Sequence, residues 1–114
     1  MALFNIHPTP KPDAIALRQQ EYAAVIREMQ KEKSCIVCGD FNAHDVSEFA
    51  IFAEAGYVSA NTGIATCEYR NTAIRSIPCD NIVVSPDITI RRTDMFDRWL
   101  TLSDHAVLWT ELVL

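Results

Sequence analysis

The sequence predicts a mixed α and β domain (α/β, in the α+β sense), with one mixed β-sheet and helices on one face. Three observations carry this expectation. Apolar periodicity switches between helical and strand spacing in the order β-α-β-α-β-β-β. The chain has 114 residues, 49% of them hydrophobic, which suits one domain with a modest core. The helical patterns come early and the strands late, so nothing remains to cover the far face of the sheet.

Each element has its own signal. Residues 2–7 form a strand with Leu3, Asn5 and His7 on one face. It ends at Pro8-Thr-Pro-Lys-Pro12, where three prolines remove three backbone donors. Asp13 is placed to cap a helix over 14–31. Ile15, Tyr22, Ile26 and Met29 make its apolar stripe, with Arg18, Arg27 and Glu28 mostly off it. Ser34-Cys-Ile-Val-Cys-Gly39 is a short apolar run ended by glycine, the pattern of a buried strand. A second helix spans about 46–55, started by Asp45 or Ser47 and stopped by Gly56. Residues 57–60 are extended, and 61–78 are polar and irregular with a short strand near 66–69. A strand over 79–85 closes in the Ser85-Pro-Asp87 turn. Residues 88–93 alternate as a half-exposed strand, 95–102 carry no clear pattern, and 106–113 form the final strand.

Composition narrows the function classes. A net charge of −5 disfavours gripping a long polyanion by phosphate neutralisation alone, although a bound cation can mask local negative charge. No apolar run approaches the ~20 residues of a membrane helix. No secretory leader pattern opens the chain, so a cytoplasmic protein without a transmembrane segment is expected. Cys35 and Cys38 have C-x-x-C spacing, but residues three apart in a strand face opposite sides. Buried reduced thiols in a reducing compartment are therefore expected in preference to zinc or redox chemistry.

The chemistry-bearing residues cluster at strand ends. Asp40 and Asn42 leave the strand at its carboxyl end, two residues apart and pointing the same way. Such a pair grips a metal, a water or a phosphate, or simply makes an Asp/Asn turn. His7 follows the first strand, and Asp104 and His105 immediately precede the last. Asp80 enters an apolar strand, where a carboxylate needs a partner, and it is the natural group to hold one nitrogen of an imidazole. Arg70 and Arg75 lie in the irregular segment, either facing substrate or as ordinary surface arginines.

Gly39-Asp-Phe-Asn42, Cys79-Asp-Asn-Ile-Val-Val-Ser85 and Ser103-Asp-His105 together resemble the motifs of the endonuclease/exonuclease/phosphatase superfamily, the DNase I-like fold. Asn5-Ile-His7 is similar to that family's strand-end histidine. The resemblance implies a divalent-metal-dependent phosphoester hydrolase of phosphodiesterase or endonuclease type. It assigns Asp40 to orient and activate water, and Asn42 to bind phosphate or metal. His105 would stabilise phosphoryl charge with its tautomer fixed by Asp80, Asp104 would help hold Mg²⁺ or Mn²⁺, and His7 would contact the phosphate near the leaving group. The substrate class stays open among small molecules, lipid head groups and nucleic acid.

Residues 1–114 match only the C-terminal half of that family's domain, half of its four-layer α-β-β-α sandwich. The family's principal metal-binding glutamate belongs to the other half, so weak metal binding and weak or no activity are expected of this chain alone. Half a sandwich also exposes its inter-sheet face, which predicts a homodimer packed sheet on sheet. The alternative is a catalytically incompetent fragment that acts as a dimerising or binding module.

Overall fold

Strand β2 (Cys35–Asp40) is the axis of the fold. The computed structural model of the chain describes residues 1–68, 75–97 and 103–114. β2 pairs in parallel with β1 (Ala2–Ile6), which brings Ile6 opposite Gly39. Its other edge pairs antiparallel with a strand over Asp80–Val84 and sets Asp40 directly opposite Asp80. In chain order, α1 (Ile15–Met29) lies between β1 and β2. After β2 come a 3-10 turn (Val46–Phe49), α2 (Ala50–Glu54) and β3 (Val58–Ser59). Then follow β4 (Cys67–Glu68), β5 (Arg75–Ile77) and β6, the Asp80–Val84 strand. β7 (Thr89–Phe96) and β8 (Val107–Val113) close the chain.

The mixed α and β class holds, but the strands do not form one ladder. They divide into a four-stranded sheet of order β1-β2-β6-β3, a β4–β5 pair and a β7–β8 hairpin. The break is physical. β4 has a register shift after Cys67 and turns its free edge to the residues before β8. Glu68 N–H donates to the Asp104 carbonyl at 3.0 Å, and Ala106 N–H to that of Thr66 at 2.7 Å. β7 runs to Phe96, farther than its alternation suggests, because the antiparallel partner supplies hydrogen bonds along its whole length.

Gly39 is required by close approach. Its φ is +142°, and a Cβ there would stand 2.2 Å from the Ile6 carbonyl oxygen. Asn42 also has a left-handed backbone, φ 53°, which asparagine tolerates better than most residues.

Both helices cover one face of the main sheet. Tyr22, Ile26 and Met29 from α1 meet Phe49, Phe52, Phe41, Val37 and Val83 in one apolar cluster. The Phe41 ring packs edge-on against both Phe49 and Phe52, at centroid distances of 5.7 Å. The apolar stripe of α1 departs from simple periodicity at its first turn. Ile15 is exposed, while Arg18 is fully buried. Arg18 Nε lies 2.7 Å from Glu48 Oε1, both side chains almost inaccessible, so the pair neutralises itself inside the core. Arg18 also donates to the Thr9 and Lys11 carbonyls, and Glu21 accepts from the Thr9 amide and hydroxyl. These bonds pin the proline segment onto α1. The cap of α1 also differs from expectation: Ala14 is the N-cap, with no side-chain bond, and Asp13 lies one residue too early. Asp45 does cap the 3-10 turn, accepting from the Ser47 amide.

The face away from the helices is covered in part: Val84 is buried there, while Leu3 is 71% exposed and Val58 44%. Cys35 and Cys38 are both free, as expected of the C-x-x-C pair, with Cys35 buried and Cys38 half-buried. Cys67 is bonded to Cys79, across 12 residues, a pairing the sequence reading did not anticipate. The pairing arises because β4 and the residue before β6 meet in space, which C-x-x-C spacing says nothing about. Among the described residues no helix is long and apolar enough to cross a membrane.

Removing one member of the buried pair strands a charge. Glu48→Ala is expected to lower stability by about 3–5 kcal/mol. Glu28→Ala, which breaks the exposed Lys31 pair, should cost roughly 0.5 kcal/mol or less. Urea denaturation midpoints check the contrast, and equal losses would contradict it.

Candidate functional site

The site forms where the carboxyl end of β2, the start of β6 and the residues before β8 converge. Asp80 is the best-held member. Its amide donates to Thr66 Oγ1 at 3.1 Å, and its carbonyl accepts from Asn61 Nδ2 at 2.8 Å. Its side chain reaches His105, with Oδ2 2.8 Å from Nδ1. His105 is placed by a local turn, in which its amide donates to Ser103 Oγ at 3.0 Å, and by the bridge to Cys67. On its other side, His105 Nε2 stands 3.5 Å from Asp40 Oδ2. His7 Nε2 approaches the same oxygen at 3.6 Å from the end of β1.

Asp40 accepts from the Asn42 amide at 2.8 Å through Oδ1, an Asx turn that leaves Oδ2 toward the two imidazoles. Turn and site are therefore the same feature. The Asn42 side-chain nitrogen donates to the Pro8 carbonyl at 2.7 Å, tying the loop after β2 to the proline segment. The resulting open cleft has a volume of about 440 Å³. His7, Asp40, Asn42, Asp104 and His105 all line it, while Asp80 stands behind His105.

The electrostatics follow from the crowding. Burial, ahead of the repulsion from Asp80, raises the Asp40 carboxyl above its ordinary value, against the lowering effect of the Asn42 amide. The hydrogen bond it donates to the Asp80 carboxylate raises the His105 imidazole despite its partial burial. Carboxylate oxygens of Asp40 and Asp80 and a ring nitrogen of His105 lie within 4.8 Å of one another. Asp104 is exposed at the rim and does not join that group.

No protein-family model matches the sequence, and no curated protein matches it either. Solved structures do. Humanized TDP2 of D. rerio superposes with a TM-score of 0.74 at 15% identity, covering 98% of this chain and 54% of that one. The 3′ phosphatase NExo from Neisseria, bound to product DNA hairpin, gives 0.74 at 17% identity, covering 98% and 61%. An endonuclease/exonuclease/phosphatase family protein from Bacteroides thetaiotaomicron gives 0.69 at 18%, covering 96% and 47%. The fold is that of the endonuclease/exonuclease/phosphatase proteins. The chain spans about half the length of the structures it matches.

Of the two arginines picked from the sequence, Arg75 does not line the cleft. Arg70 lies outside the described residues. Arg75 is buried by its partners: Nε and Nη2 donate to Asp97 at 3.0 and 2.9 Å, and Nη2 also to the Ser103 carbonyl at 2.9 Å. It holds the approach to the Ser103-Asp-His105 turn, so its value to the site is positional. Other contributors carry no sequence signal at all. Asn61 is fully buried and accepts the Gly63 and Ile64 amides while holding the Asp80 carbonyl. Glu48 Oε2 accepts the His44 amide at 2.8 Å, shaping the loop after Asn42. Glu68 and His44 also line the cleft, brought there by β4 and by that loop.

The Asp80–His105 bond predicts a pH effect of definite sign. Because the folded-state pKa of His105 is raised, its stabilisation is complete below about pH 6.5 and is lost as pH rises through the raised value. Asp80→Asn is expected to drop the His105 midpoint toward that of a free imidazole. NMR titration of the ring protons reads this directly, and an unchanged midpoint would refute the assignment.

Proposed function

We propose that this chain carries the C-terminal part of the active site of a divalent-metal-dependent phosphoester hydrolase. The observation that supports this most is the chain of contacts Asp80–His105–Asp40 at the mouth of a cleft that also receives Asn42, His7 and Asp104. Hydrolysis of a phosphoester needs a positioned water and preorganised positive charge opposite the phosphoryl oxygens.

Asp40 orients the water and takes its proton at Oδ2, its raised pKa making it a better base than an ordinary surface carboxylate. His105 keeps its proton at Nδ1 because Asp80 accepts it there, and presents Nε2 to the phosphoryl oxygens as an imidazolium. His7, exposed at the rim, contacts the phosphate near the leaving group. The oxygen donors suit a hard cation: Asp40 and Asp104 as carboxylates, with Asn42 offering its amide oxygen. Asp40 and Asp80 face each other across the ladder with carboxylate oxygens within 4.8 Å, a concentration of negative charge that such a cation would offset. Asp40, Asp104 and Asn42 would hold Mg²⁺ or Mn²⁺, which would supply positive charge opposite the phosphoryl oxygens. With two carboxylates as its charged anchors, binding by this chain alone is weak.

Substrates of this chemistry include small phosphoesters, lipid head groups and nucleic acid, and NExo was solved with a DNA product. The net charge of −5 favours a small phosphoester over a long polyanion for this chain.

Two measurements test the reading. Mg²⁺-dependent hydrolysis of a generic phosphodiester is expected to be slow, and His105→Ala should cut it by at least ~10²-fold, the scale of losing one stabilising donor. Activity unaffected by the substitution would sink the role of His105. No activity in either protein would favour the second reading, a fragment that serves as a dimerising or binding module. That reading draws on the exposed Leu3 and Val58 of the sheet face away from the helices.

The same face supports a homodimer, packed sheet on sheet, under both readings. Sedimentation should give a dimer that Leu3→Lys shifts toward monomer. A well-folded monomer of the unsubstituted chain at all concentrations would exclude it.

A further inference from the structure

The hydrolase reading gives Cys67 and Cys79 no task, yet they sit against its central imidazole. Cys79 is fully buried and Cys67 nearly so. The Cys79 sulfur lies 3.8 Å from His105 Nδ1 and 3.4 Å from Asp80 Oδ2. Cys67 reaches the floor of the cleft, which gives a small ion a way in. Two sulfurs and one imidazole nitrogen thus lie within 4.8 Å of one another. That donor set differs in kind from the oxygens of Asp40, Asn42 and Asp104. Thiolate with imidazole selects Zn²⁺ and its thiophilic relatives over Mg²⁺.

We propose that, once the Cys67–Cys79 bond is reduced, both sulfurs and His105 Nδ1 bind one thiophilic divalent cation, with Asp80 as the fourth ligand. A tetrahedral zinc site with bonds of about 2.3 Å to sulfur and 2.0 Å to nitrogen separates S and N by about 3.5 Å. The Cys79–His105 spacing is already close to this. Asp80 Oδ2 stands within 3.4 Å of both partners. The two sulfurs must move apart, which breaking their bond permits, and Asp80 must shift from its 2.8 Å hydrogen bond with Nδ1 to about 3.3 Å and toward Cys67.

The chemistry balances. A dithiol reductant supplies two electrons and two protons, cleaves the S–S bond to two thiols and leaves as its own disulfide. The cation then displaces both thiol protons and the Nδ1 proton to solvent, so that Nδ1 exchanges its hydrogen bond to Asp80 for the cation while Nε2 keeps its own proton. The oxidised chain offers no thiolate to the ion and does not bind it this way. Resting on the hydrolase reading, the cation takes His105 and Asp80 out of phosphoester chemistry, so zinc and thiol state together gate the site.

Co²⁺ titration of the dithiol-reduced chain, after the reductant is removed under anaerobic conditions, reads ligation without any activity assay. One equivalent should produce a thiolate-to-cobalt charge-transfer band and tetrahedral visible bands, both displaced by Zn²⁺. Cys67→Ser and Cys79→Ser should each remove most of the charge-transfer intensity, and His105→Ala should weaken affinity at least ~10-fold, the scale of losing a supporting ligand. Cys38→Ser, at a free cysteine on the neighbouring strand, should leave the band unchanged. Circular dichroism checks each variant for folding, and the two cysteine variants are alternatives if one fails. A reduced, folded chain without the band, or a band that survives both cysteine substitutions, overturns the proposal. Either result leaves the hydrolase reading standing, since that reading is tested at His105 with Mg²⁺.

Discussion

Two carboxylates face each other across a ladder, and much of the site is arranged around that conflict. Asp40 and Asp80 are directly paired on β2 and β6, where like charges oppose pairing. With carboxylate oxygens within 4.8 Å, two full charges would repel by about 3 kcal/mol or more at an effective dielectric near 20. His105 resolves the conflict by contacting both, tightly at Asp80 and more loosely at Asp40. Burial does the rest by raising the Asp40 carboxyl. A folded protein keeps such a pair only when the surroundings hold it in place, and here they do.

That support is built in layers from distant parts of the chain. Gly39 lets β1 approach β2 closely enough for His7 to reach Asp40. Arg18, neutralised by Glu48, fastens the proline segment to α1, and Asn42 then bonds back to Pro8. Thr66 and Asn61 hold the backbone of Asp80, while the Cys67–His105 bridge and the Arg75–Asp97 pair hold the turn that carries His105. A rigid strand end with loops around it is the usual way a fold offers precision and access together. The buried Arg18–Glu48 pair is also where the helix pattern breaks, because a charge that serves the loop above occupies a place periodicity reserves for an apolar side chain.

The chain covers about half of the solved structures it matches, and the sheet face opposite its helices leaves Leu3 and Val58 exposed. The cysteine pair sits beside the site, with the Cys79 sulfur 3.8 Å from His105 Nδ1. Disulfides are uncommon in reducing compartments, so the thiol state of Cys67 and Cys79 is the property most sensitive to where the protein resides.

Local rules carried much of the architecture. Alternation and helical spacing place every strand of the main sheet and both helices within a few residues, because burial of one face is written into the period. Gly39-Asp-Phe-Asn42, Asp80 and Ser103-Asp-His105 stand out in the sequence because polar groups at the ends of apolar strands need partners. What the sequence leaves undetermined are contacts between segments far apart in the chain. Arg18 looks like a surface residue until Glu48, thirty positions later, is folded against it. Arg75 looks available until Asp97 closes on it, and Asn61 looks like a loop residue until it bonds the Asp80 carbonyl. Cys67 and Cys79 pair only because β4 and β6 meet beside His105. Periodicity reports which side of an element is buried; which partner waits there is decided by the tertiary structure, since a partner's identity depends on the path of the whole chain.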